Sequence, residues 1–127
     1  DPQYEISRDA WERLRRARDA RGRPFEVHRI HQPGPLYMTE AEAAGVDAVE
    51  GSTRRRAGQR LAGSYVNSYL ANRAVVMPLL DPAMDRRAAA KMKRLFPGRR
   101  VIGVPAREIL LGGGNIHCIT QQVPRAV

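Results

Sequence analysis

Cysteine is nearly absent from this 127-residue sequence, with Cys118 the only one. A single thiol excludes an internal disulfide framework, and nothing here argues for export. Beside the three histidines His28, His31 and His117 it makes no recognisable zinc spacing, so neither a metal nor any other cofactor is expected. Long apolar runs are also lacking, which excludes a helical membrane span. The opening DPQYEISRDAW has no basic start and no apolar segment. It does not read as a signal peptide, and a cytoplasmic location is expected. Acidic side chains are scarce: 13 Asp and Glu stand against 22 Lys and Arg, a net charge of +9.

That charge invites a nucleic-acid reading, because arginines crowd Arg13 to Arg23 and Arg54 to Arg56. The first cluster, however, is interleaved with Glu12 and Asp19 on an expected helix. No zinc finger, RNA-recognition signature or helix-turn-helix spacing accompanies it. The arginines are read as solvated faces, and no nucleic acid or membrane is expected as a partner. A salt-dependent shift of duplex or single-stranded nucleic acid would favour the opposite reading, a basic binding module.

Along the chain, Ser7 is the expected cap of a helix carrying Asp9, Trp11 and Leu14 and stopped by Gly22 and Pro24. Trp11 is expected in the core. Residues 25–30 alternate as a strand. The stretch 31–61 is loop-like, with a short helix capped by Thr39. Residues 64–70 and 74–80 read as a strand pair turning at Ala71, Asn72 and Arg73, with Asn72 suited to left-handed φ. Asp81 and Pro82 open a helix on which Met84, Ala88, Met92 and Leu95 fall at helical spacing. Pro97 and Gly98 end it, and 100–104 is a short apolar strand.

The stretch around which the rest is organised is GGGNIHCITQQ, residues 112–122. Three consecutive glycines suit positive φ or a close approach by another group. The alternation after them predicts a strand over 115–122, delivering the thiol of Cys118 at a fixed place. That suits a nucleophile beside a space where substrate must fit, although a lone cysteine also serves as a small buried hydrophobe. His117 cannot easily reach the sulfur from a strand, since neighbours point to opposite faces, and is expected to pack behind it.

This string, with PAREILL just before it, resembles the C-terminal signature of agmatine deiminases, guanidine-modifying enzymes that include the bacterial-type peptidylarginine deiminases. The resemblance spans nearly the whole chain and makes Cys118 the nucleophile. It implies Gly113, Gly114, Asn115 and Asn67 at the substrate. A Cβ at Gly114 would be expected to crowd the ligand, and Asn67 matches a family asparagine on a strand beside the nucleophile strand. The small-molecule partner it implies is agmatine, with a related peptidyl-arginine or arginine deiminase as the alternative.

The two halves also look alike. Asp1-Pro2, a helix, Gly22-Arg23 and a strand are matched by Asp81-Pro82, a helix, Gly98-Arg99 and a strand. A connection and a further strand follow in each, so that Asn67 occupies in the first half the place of Cys118 in the second. Such units cannot bury their apolar faces alone. The resembling family implies an α/β fold, a pentein-type five-unit α/β propeller. This chain would be its C-terminal portion, about two ββαβ units at roughly 1–70 and 71–127, and a homodimer is a family prior. The family's acid–base histidine lies in His-x-Asp, which none of the three histidines here does. Agmatine is a dication that calls for carboxylates, so the acidic half of the site is expected from a missing N-terminal part. The 127 residues alone are expected to release no ammonia from agmatine.

Overall fold

The computed structural model describes residues 1–124. Its centre is β2 (Ala74–Leu79), an unbroken apolar run in which Val75 and Met77 are wholly buried. A strand covered on both faces needs such a run rather than alternation. On one side β2 pairs antiparallel with the two-residue β1 (Tyr69–Leu70), in register Tyr69 with Val76. On the other it pairs parallel with β3 (Arg100–Pro105), from Ala74 with Arg100 to Leu79 with Pro105. The crossover between β2 and β3 is α3 (Asp85–Leu95), whose buried Ala88 and Met92 face the sheet while its arginines and lysines face water. This part of the chain follows its sequence pattern closely.

One carboxylate organises the start of α3. Asp85 Oδ1 accepts the hydroxyl of buried Tyr65 at 2.7 Å and the backbone N–H groups of Leu80 at 2.9 Å and Asp81 at 3.0 Å. Asp81 in turn accepts from Ala83 N–H and from Gly34 N–H, both at 3.0 Å, tying the long connection to the sheet.

The connection over 31–61 contains α2 (Glu40–Ala44), capped by Thr39 as expected and closed into a full capping box by Glu42. It is better anchored than its composition predicts. Met38 and Leu61 are buried, and Met38, Leu61 and Gly58 donate backbone hydrogen bonds to Gln59, Leu36 and Met38 respectively. Glu42 also pairs with Arg107 at 2.5 and 3.0 Å, and this guanidinium holds the Glu42 carboxyl down at about 2.

Several expectations fail for identifiable reasons. The first helix, α1 (Pro2–Arg16), is capped by Asp1, which accepts Gln3 N–H at 3.0 Å, and not by Ser7. It stops before Gly22 because the Asp19 carboxylate takes the N–H groups of Arg21 and Arg23 and closes a local turn. Trp11 is not core: it lies between the guanidinium groups of Arg15 and Arg29, each 4.7 Å from its ring centroid. No residue of α1 is buried in this chain. Residues 25–30 form no strand, for no described segment pairs with them. Of 64–70 only Tyr69 and Leu70 pair; the preceding residues form a turn in which Ser68 Oγ donates to Tyr65 O and Asn67 N–H to Ser64 O. Asn72 does not use left-handed φ, since among the described residues every positive φ belongs to a glycine. No helix among them is long and apolar enough to cross a membrane.

Asp85→Ala should lower stability by about 3 kcal/mol, since it strands three donors that water does not reach freely; a denaturant titration would measure it. The folded Glu42 carboxyl titrates below its ordinary 4.5, so its contribution is complete above that pH and disappears as pH falls towards about 2. The gap in denaturation midpoint between wild type and Glu42→Gln should accordingly be widest near neutrality and close over that range. A gap that stays constant with pH would contradict this.

Candidate active site

From the end of β3 the chain enters α4 (Arg107–Leu111), anchored by buried Ala106, Leu110 and Leu111. Gly112, Gly113 and Gly114 follow, and then a 3-10 turn, Ile116–Ile119, carrying Cys118. The strand expected over 115–122 is therefore absent: 116–119 form the 3-10 turn and 120–122 carry no strand. Asn115 decides the matter. Its Oδ1 accepts Ile116 N–H at 2.8 Å and its carbonyl accepts Cys118 N–H at 2.8 Å, so the segment winds up locally. Four alternating residues with no neighbouring strand cannot compete with that cap.

Asn115 is fully buried, and its Nδ2 donates to Ala106 O at 3.2 Å. Its amide is turned into the chain, where it shapes the turn. Gly113 has φ +99°, a region that side chains rarely adopt, and the space its Cβ would fill holds the guanidinium of Arg55. Arg55 Nη2 donates to Gly112 O at 2.8 Å. Gly114 faces the thiol. A Cβ there would stand 2.7 Å from Cys118 Cβ and 2.8 Å from Sγ, so the glycine makes room for the thiol itself.

Cys118 is free and exposed, not packed as a small hydrophobe. Its Sγ lies 3.2 Å from Asn67 Nδ2, which donates to it, and Asn67 Oδ1 accepts His117 N–H at 2.9 Å. The Asn67 amide first, and backbone N–H contacts after it, hold the thiol below its ordinary range, while burial opposes them. The structure thus brings Asn67, Gly114 and Cys118 together, with Gly113 one residue away. His117 is exposed at the surface of the 3-10 turn, with no strand to pack behind. His28 pairs with Glu26 at 2.9 Å.

Two residues at this site escaped the sequence reading. Arg55 sits in a run of three arginines, and nothing in the run marks the one that reaches Gly112. Arg107 lies within the PAREILL string and links α4 to the long connection through Glu42 and through Tyr37 O at 2.8 Å. Its place in the string was the available signal.

The chain, with its parallel βαβ crossover leading through a glycine turn to an exposed thiol, is similar to known proteins in sequence and in fold. Its fold matches the agmatine deiminase of Enterococcus faecalis catalysing its reaction, with a TM-score of 0.88 and 38% identity over 100% of this chain and 34% of that one. The fold is accordingly a portion of the pentein type of α/β architecture found in guanidine deiminases. "Putative agmatine deiminase 1" of Listeria monocytogenes is 56% identical over 125 residues, 98% of this chain and 34% of the relative. "Putative agmatine deiminase" of Shewanella baltica is 56% identical over 124 residues, 98% of this chain and 33% of the relative. The model of the Porphyromonas-type peptidyl-arginine deiminase family matches residues 1–124, and the chain belongs to that family. It spans about a third of the length of the relatives it matches.

Gly114→Ala should displace the sulfur, because Cys118 Cβ is fixed to the backbone and cannot swing aside. Alkylation of Cys118 by iodoacetamide should change in rate by several-fold, on the order of five or more, with the fold retained. An unaltered rate would show that the turn absorbs the extra carbon.

Proposed function

We propose that the protein carrying this chain is a guanidine iminohydrolase of the agmatine deiminase type, converting agmatine and water to N-carbamoylputrescine and ammonia in the cytoplasm as a step towards putrescine and other polyamines. The observation that carries this reading is the exposed, acid-shifted Cys118 held by a glycine turn, in a chain that belongs to a deiminase family. The Cys118 thiolate attacks the guanidinium carbon, forming a C–S bond and a tetrahedral adduct. A C–N bond then breaks, the leaving nitrogen takes a proton, and ammonia departs from a covalent thiouronium. Water adds to the same carbon and loses a proton, the C–S bond breaks, and the ureido product leaves with the thiolate restored. A thiolate is required because the carbon is resonance-stabilised, and a bound guanidinium would itself favour that thiolate.

The reading assigns the Gly113–Gly114 backbone to the wall of the substrate space. The proton-transferring histidine and the carboxylates that grip the guanidinium come from a part of the fold outside this chain, consistent with its share of the relatives' length. A five-unit propeller with two units here, near 1–70 and 71–127, gives that part its place. The unburied face of α1, with Tyr4 and Ile6 over 60% exposed at 64% and 62%, supports it by offering apolar surface for further units. The family model is described by peptidyl-arginine, which keeps a peptidyl substrate as the second reading.

In the full protein, Cys118→Ala should reduce ammonia release from agmatine by roughly a thousandfold or more. A haloacetamidine should label Cys118, with agmatine protecting it. Protection by a peptidyl-arginine but not by agmatine would move the assignment to the second reading, and full turnover by the alanine variant would remove Cys118 from the mechanism.

A further inference from the structure

Asn67 stands outside the glycine turn, 51 residues before Cys118, yet it contacts the sulfur from both ends of its amide. It is held in place by its neighbours: Tyr65 and Ser68 are buried, and Ser68 Oγ donates to Tyr65 O at 2.7 Å. The orientation of the amide is fixed by chemistry. The backbone N–H of His117, at 2.9 Å, can only donate, so the atom facing it must be Oδ1. Nδ2 is thereby turned to Cys118 Sγ at 3.2 Å. The same 3-10 turn that carries the sulfur supplies the N–H that aims the amide at it.

We infer that Asn67 is a positioning residue for the reacting sulfur: locked by the His117 N–H, its amide presents a donor to Cys118 Sγ and favours thiolate over thiol. A donor stabilises an anionic sulfur more than a neutral one. In the thiol form, Oδ1 at 3.7 Å offers the S–H a weak acceptor, so the amide serves both protonation states without moving. Asn67 thus acts through the sulfur and not by gripping substrate. The contact itself is independent of the deiminase reading, which the inference uses only for what the thiolate attacks.

The test compares wild type with Asn67→Asp and Asn67→Ala in the full protein. Alkylation of Cys118 by iodoacetamide is followed against pH by mass spectrometry of the Cys118 peptide. Asn67→Asp keeps the shape and the acceptor for His117 N–H but replaces the donor with an anion, so it remains informative where the alanine variant fails to fold. Both variants should move the alkylation midpoint to higher pH, aspartate further. At pH 7 both should react more slowly, on the order of fivefold. Turnover of agmatine should fall in kcat more than in KM and recover partly as pH is raised. Coincident alkylation profiles for all three proteins would overturn the inference, as would a defect confined to KM, which would return Asn67 to substrate binding. Because alkylation needs no agmatine, displaced profiles in a protein that never releases ammonia would sink the deiminase reading and leave this one standing.

Discussion

The buried amide of Asn115 is the constraint on which the site depends. Through Nδ2 it grips the carbonyl of Ala106, at the end of the parallel crossover, and through Oδ1 it starts the 3-10 turn. The nine intervening steps of chain, α4 and three glycines, are thereby closed into a loop of fixed span. A buried amide with both ends used is rigid, because releasing either end leaves an unsatisfied group away from water. The sulfur consequently owes its position to the sheet: β2 and α3 place β3, β3 places Ala106, and Asn115 transmits that place to Cys118.

Much of this was legible in the sequence where one strong local pattern had no rival. The apolar run of β2, the helical spacing of Met84, Ala88 and Met92, and the Thr39 cap all correspond to observed elements. The agmatine deiminase likeness read from GGGNIHCITQQ agrees with the family the chain belongs to. Legibility failed where two local rules competed. Residues 115–119 alternate like a strand but follow a strong helix cap, and the cap prevailed. Residues 25–30 carry a strand pattern whose pairing no described segment supplies. The comparison of the two halves gave Asn67 the place in the first that Cys118 has in the second, on a strand in each, and neither residue sits on a strand. Arg55 was invisible for a different reason: its contact spans 57 residues and leaves no periodic trace.

Part of the basic charge is spent on local order. Arg8, Arg13 and Arg23 pair with carboxylates three or four residues away, Arg60 reaches Asp1, and Arg15 and Arg29 lie against Trp11. Exposed pairs of this kind contribute little to stability. They do, however, dress α1 and the segment after it without burying any of its residues. The thiol is served by something else, an uncharged amide, which is less sensitive to salt than a cation would be.

The interlock of Arg55 with Gly113 also bears on how this sequence can drift. The guanidinium occupies the void left by a missing β-carbon, so the two positions share one volume. Alanine at 113 would oblige Arg55 to release the Gly112 carbonyl, and the +99° torsion would resist the new side chain even then. Shortening Arg55, by contrast, leaves the glycine comfortable and the cavity empty. Change is therefore easier at one partner than at the other, and the arginine is the one free to go first.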